Sequence, residues 1–376
     1  MRRRVASVLA LLIAVAPAAA CGPDDPAPGK GPARGAQAAP GAATTTGAGA
    51  SAPPAAPPRP DGVITVAFAG DVHFEGRTEN RLTVAPPGQA LGPISATLSD
   101  ADLAVLNLET AITGRGAPEP KLYTFRTSPK ALDALQGSGV DVVSLANNHA
   151  VDFGADGLAD TLAAKAASPI PVVGIGRNAK EAYAPYLTTV RGVKVAVLAA
   201  SQVEDLTNQK WRAGATKPGI ASALDVTALL KAVTEARRQA PVVIVYLHWG
   251  EEGKACPTSA QTALAKKLAA AGVTAVVGTH AHTMVGAGML GNTYVGYGFG
   301  NFLWYGTSDY PNSDDTGVTT LTLTAAGRVT GERFTPAVVD GTGVPVPQTG
   351  AAAVAAGKRR DGLRGCAGLT AAPAAG

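Results

Sequence analysis

Five histidines, His73, His149, His248, His280 and His282, each stand at or just beyond the end of a short apolar run. Other ligand-type residues gather at the same run ends. The first run closes on Gly70-Asp71-Val72-His73 and the second on Asn107-Leu108-Glu109; the third leads into Asn147-Asn148-His149, and later runs give His248 and Thr279-His280-Ala281-His282. Asp71 and His73, two residues apart after a strand, point the same way and can reach one ion, and His280 with His282 repeats that spacing. Two carboxylates, an Asn and up to five imidazoles suffice for two metal ions. Metals paired about 3.5–4 Å apart suit phosphoester hydrolysis, because they clamp the substrate and lower the pKa of a bridging water. A mixed nitrogen and oxygen shell without thiolate fits manganese, iron or zinc better than calcium, and does not choose among the three. Taken singly, Asp71-x-His73 or Asn147-Asn148 also reads as turn chemistry, and His248 as a core histidine. What points to metal is their joint placement at strand ends.

The elements that must hold these residues follow from the apolar pattern. Val63–Ala69, Leu103–Leu108, Val140–Leu145, Val193–Ala199, Val242–Leu247 and Val273–Val277 are mostly continuous apolar runs, as strands buried on both faces require. Helical patterns fall between them at Pro129–Gln136, Gly157–Ala167, Asp225–Gln239 and Ser259–Ala271, with Ser222 and Asp225 spaced as a capping box. Alternation of this kind predicts an α/β sandwich, whose ligands gather at the carboxyl ends of the strands. Thr293–Gly298, Val318–Thr324 and Arg333–Val339 lack helices between them and read as antiparallel strands.

In this order the motifs resemble the calcineurin-like metallophosphoesterase superfamily, and within it the CapA family of capsule polyglutamate synthesis proteins. The resemblance rests on Tyr123-Thr124-Phe125-Arg126, the run Ser144 to Gly154, His248-Trp249-Gly250 and Tyr297-Gly298-Phe299-Gly300-Asn301-Phe302, and covers nearly all of residues 63–305. It implies a four-layer αββα sandwich with two divalent ions at the sheet edge. By the superfamily pattern Asp71, His73 and His282 would hold one metal, Asn148, His248 and His280 the other, and Glu109 would bridge them in place of the usual Asp. His149 would be a proton donor or transition-state stabiliser oriented by Asp152. Arg126 is the expected anion clamp, since a guanidinium grips phosphate or carboxylate at two points. Many relatives carry an apolar residue where His73 stands, and Ala281 replaces a common proline.

The ends of the chain have a different character. Arg2–Arg4, the apolar Val8 to Val15 and Ala18-Ala19-Ala20 before Cys21 read as an export signal over residues 1–20, too short to span a membrane. Cys21 is then either the lipidated first residue of a lipoprotein or incidental to an ordinary cleaved signal. Residues 21–60, nearly all Gly, Ala, Pro, Ser and Thr, read as a disordered tether, residues 61–345 as the folded domain, and residues 346–376 as a solvated tail. In an oxidising compartment Cys256 and Cys366 either pair or stay free. With 16% charged residues and a net charge of +4, much of it in two end clusters, nucleic-acid binding is set aside.

Two functions are expected to compete. One is a tethered metallohydrolase on the outer face of the membrane, or secreted, cutting a phosphoester in a capsule or envelope polymer or its phosphorylated precursor. The other is a non-catalytic accessory protein guiding an anionic polymer such as poly-γ-glutamate. The oligomeric state is not legible.

Overall fold

The computed structural model describes residues 61–86, 88–306 and 310–375. The signal, Cys21 and the tether lie outside these residues. Two sheets stack face to face. The first runs Pro345–Pro347, Val329–Val339, Asp315–Thr324, Val63–Val72, Leu103–Leu108, Val142–Ser144, Val172–Val173, with the short Asn301–Leu303 paired to the end of Val63–Val72. The second runs Met284–Leu290, Thr293–Phe299, Ala275–Thr279, Val242–His248, Val193–Ser201, Tyr186–Val190. Side chains alternate between two buried faces, which is why the runs are continuously apolar. Ile64, Val66 and Phe68 meet Val242, Ile244 and Tyr246 between the sheets. Ala67 and Ala69 face a second core under the helices Ser95–Ser99, Lys130–Gly137 and Gly154–Ala167, which bury Leu98, Leu132, Leu135 and Leu158 there. Val243, Val245 and Leu247 face a third, under Val226–Arg237 and Ser259–Ala270, which bury Leu229, Val233, Leu264 and Leu268. The molecule is thus the expected four-layer αββα sandwich.

Three local expectations are corrected. Asp225 itself caps its helix, accepting from the Ala228 N–H at 3.0 Å, while the reciprocal box belongs to Thr258 and Gln261. Thr293–Phe299 pairs antiparallel with Met284–Leu290 but parallel with Ala275–Thr279. The largest correction concerns residues 346–376. Pro345–Pro347 adds an antiparallel edge to Val329–Val339, Gly350–Gly362 is a helix, and Cys366 is bonded to Cys256 across a Cα–Cα distance of 5.7 Å. Arg360, 5% exposed, pairs with Glu332 and donates to the Tyr294 hydroxyl at 2.9 Å, and Arg359 grips Asp315 at 2.6 and 2.7 Å. The segment is poor in large apolar residues, so composition reads it as unfoldable. The partners that order it are supplied by the domain.

Two glycines set the sheet edge that carries the ligands. A Cβ at Gly70 would sit 2.0 Å from the Gly300 carbonyl oxygen, and that carbonyl accepts the Asp71 N–H at 3.0 Å. Only glycine lets the Asn301 strand close on Asp71. At Gly278 a Cβ would meet the Trp249 indole nitrogen at 2.0 Å, so the turn after His248 packs against bare backbone.

Candidate metal centre

The parallel strands of both sheets end at one edge, and there the histidines and carboxylates converge. Two groups of buried side chains place ligand atoms within 4.8 Å of one another: Asp71, Glu109 and His282, and Glu109, His248 and His280. Glu109 belongs to both. His248 Nε2 is 2.7 Å from Asn148 Oδ1 and 3.3 Å from Glu109 Oε1, which brings Asn148 to the second group. A third group, Glu252 with His280 and His282, lies at the solvent side.

An asparagine scaffold holds these ligands in place. Asn107 donates to Asp71 Oδ1 at 2.8 Å, and Asn147 donates to Asn107 Oδ1 at 3.1 Å and to the Leu108 carbonyl at 2.8 Å. Asn301 Oδ1 is 3.0 Å from His282 Nδ1, and Thr279 Oγ1 is 3.0 Å from His248 Nδ1. Fixing one ring nitrogen leaves the other for a ligand role, the usual arrangement around metal-bound histidine. His280 and His282 adopt φ of 90° and 54°, a left-handed backbone uncommon for residues with a Cβ. The His280 N–H is thereby directed to Asp71 Oδ2 at 3.0 Å.

Electrostatically the cluster is short of positive charge. Burial, then the neighbouring Glu109, pushes Asp71 up to about 6; burial pushes Glu109 up to about 7. Burial lowers His248 to about 4 and holds His280 well below the usual histidine range, so both rings are neutral. Both Glu109 oxygens and His280 Nδ1 are buried without a hydrogen-bond partner. Buried acceptors left unmet are costly, and divalent cations satisfy this donor set of carboxylate, neutral imidazole and amide oxygen. The residues therefore fit the metals the sequence implies.

His149 lies beside the centre, its Nδ1 2.6 Å from Asp152 Oδ2 and its Nε2 3.9 Å from Glu109 Oε1. Asp152 is held by the Phe125 N–H at 2.8 Å and by the Lys121 ammonium at 2.6 Å, and Lys121 also bonds the Asn148 carbonyl. Burial raises Asp152 to about 6, with Lys121 opposing the rise, and keeps His149 well below its usual range.

Two expected residues are placed differently. His73 belongs to none of the ligand groups found among the described residues. Its ring is packed by Phe125, Trp304 and Tyr305 at centroid distances of 4.5, 4.5 and 4.6 Å, and its Nε2 faces the Tyr305 N–H at 3.4 Å. Arg126 is exposed, with its guanidinium 4.9 Å above the Phe153 ring, rather than closing on the centre as a clamp. Sequence reasoning missed Lys121, Asn301 and Glu252. Asn301 lies in the Gly-Asn-Phe segment that carries the resemblance and Glu252 follows His248-Trp249-Gly250, so both had a signal. Lys121 had none.

Comparison with known proteins gives the family of the chain. The family described as bacterial capsule synthesis protein PGA_cap matches residues 65–305. The chain is 27% identical over 248 residues to PGA biosynthesis protein CapA of Bacillus subtilis (strain 168), covering 65% of this chain and 64% of that one. It is 33% identical over 192 residues to capsule biosynthesis protein CapA of Bacillus anthracis, covering 48% and 45%. To a probable polyglutamine synthesis accessory protein of Mycobacterium tuberculosis it is 32% identical over 205 residues, covering 52% and 53%. The chain thus spans about half to two-thirds of the length of these curated relatives. Among solved structures, a phosphatase from Mycoplasma pneumoniae superposes with a TM-score of 0.46 at 16% identity, over 74% of this chain and 94% of that one. With more than half of its length matched, the chain belongs to the PGA_cap family of bacterial capsule synthesis proteins.

Proposed function

We propose that this protein is an exported, lipid-tethered hydrolase of capsule or envelope polymer biosynthesis, of the poly-γ-glutamate kind, acting on a phosphoester at a two-metal centre. The observation that carries the reading is Glu109, shared by two ligand groups and buried with both oxygens unpartnered. Asp71, Glu109 and His282 would hold one ion, and Glu109, Asn148, His248 and His280 the other. Manganese, iron or zinc bound there supplies Lewis acidity and a water of lowered pKa. The remaining work falls to the chain. Asp152 fixes the His149 Nδ1 proton, leaving Nε2 turned toward the centre as the atom that takes up a proton and returns it to a leaving oxygen. Lys121 and the Phe125 N–H keep Asp152 oriented for that task. Arg2–Cys21 as a lipoprotein signal would place the domain at the outer membrane face.

The test is metal content of the purified domain, together with hydrolysis of a generic phosphodiester in manganese. Two ions per chain with turnover that His149→Ala lowers by about 10²–10⁴-fold, both metals staying bound, supports the hydrolase. No metal after manganese reconstitution sinks it. Similarity to a probable polyglutamine synthesis accessory protein of Mycobacterium tuberculosis favours a second reading, a protein that binds and guides an anionic polymer. Equal polymer binding by the wild type and a His280→Ala/His282→Ala variant, independent of metal, would select that reading.

A further inference from the structure

We infer that Glu252, and not His73, is a solvent-side ligand of the centre, reaching it beside His280 and His282, so that metal held with it exchanges more readily than metal held by the buried groups alone. The inference rests on the two-metal reading above.

Glu252 places a carboxylate oxygen within 4.8 Å of ligand nitrogens of both His280 and His282. Its Oε2 also accepts the Tyr310 hydroxyl at 2.7 Å. His280, 6% exposed, offers an unpartnered Nδ1 in the same group. The loop that carries Glu252 is built to stay at the centre. It leaves the strand ending at His248 through Gly250, whose φ of 100° turns the chain back. The Gly253 N–H donates to the Ala281 carbonyl at 2.8 Å, tying the loop to the residue between the two histidines. Cys256, three residues further on, is bonded to Cys366. An exposed acid on a free loop would carry no such argument; this one is pinned on both sides of its own position.

His73 shows the opposite pattern. It has the right residue type two positions after Asp71, yet its ring is spent on three aromatic contacts. The two positions consequently differ in access. Asp71, Glu109 and His248 are fully buried, whereas Glu252, which joins His280 and His282, is exposed and can release an ion to solvent. The division makes the inner ion structural in its persistence and the outer one responsive to the metal available outside the cell.

Metal content by elemental analysis after rapid desalting from manganese, with manganese titration of the metal-stripped protein, tests this on the intact chain. Expected are two ions in wild type and in His73→Phe, and one in Glu252→Ala, whose second manganese binds about 10–100-fold more weakly. His73→Gln, which keeps a polar group in the cage, is expected to retain two as well. Loss of an ion from both His73 variants while Glu252→Ala keeps two would overturn the inference and leave the centre intact. Two ions of unchanged affinity in Glu252→Ala would also overturn it. Wild type holding none would overturn the centre itself, and with it this assignment.

Discussion

Two clusters of charge, one fully buried and one largely so, are organised in opposite ways. In the cluster under the C-terminal helix, Arg360 faces Glu332, with Tyr294 bonded to both at 2.9 and 2.7 Å and the guanidinium 4.6 Å over Phe334. Cation and anion are present in equal number. At the strand edge, Asp71 and Glu109 lie beside His248 and His280, which burial keeps neutral, and both Glu109 oxygens are unpartnered. A buried charge costs several kcal/mol unless it is paired. The first cluster meets that requirement within the chain; the second meets it only with a cation from outside. Burial and charge alone therefore do not mark a functional site. An imbalance of charge, held in place by a scaffold of asparagines, does.

Breaking the balanced cluster should give the largest effect. Arg360→Met leaves Glu332 buried without its partner and should destabilise the fold by about 3–5 kcal/mol, read by urea unfolding. Arg360→Met combined with Glu332→Gln should recover most of that loss. If the double variant is as unstable as the single, packing on Phe334 holds this region and the charge comparison fails there.

The disulfide links the two clusters, since Cys366 follows the helix bearing Arg360 and Cys256 follows the loop bearing Glu252. The bridge closes a separation of 110 residues. Cys256→Ser/Cys366→Ser should cost about 2–4 kcal/mol, with the solvent-side metal weakened and the buried one retained. Loss of stability with unchanged binding of both metals would show that the staple serves the tail alone.

Much of this is legible in the amino-acid sequence. The strands could be read because sheets buried on both faces leave unbroken apolar runs, and Leu103–Leu108 is placed to the residue. The centre could be read because strand carboxyl ends collect ligands, which groups Asp71, Glu109, His248, His280 and His282. What failed to show depends on partners distant in sequence. His73 has a ligand's residue type, but its ring is set by Phe125, Trp304 and Tyr305, which no local pattern connects to it. Arg359 and Arg360 look like a solvated basic run until Asp315, Glu332 and Tyr294 are seen beneath them. Glu252 is an exposed loop acid, and periodicity is silent in loops.

The smallest effect has the most informative sign. Glu109 is raised by burial from 4.5 to about 7, so without metal the folded protein holds its proton more tightly than the unfolded chain does. The stability linked to that proton is full below about 4.5 and is lost as pH rises through about 7. Above that, metal-free protein carries an ionised, unpaired carboxylate. Glu109→Gln removes it and should stabilise the metal-free protein at pH 8 by about 1–3 kcal/mol, with the gain fading toward pH 5. Saturating manganese should reverse the order, because wild type then has a ligand the variant lacks, and binding to the folded state adds RT ln(1 + [L]/Kd), about 2.7 kcal/mol at 100 times Kd. Thermal melts with manganese and with a chelator at both pH values read the crossover. A Glu109→Gln variant that is less stable than wild type under all four conditions would mean that Glu109 is satisfied within the protein, and that the strand edge is balanced in the same way as the tail.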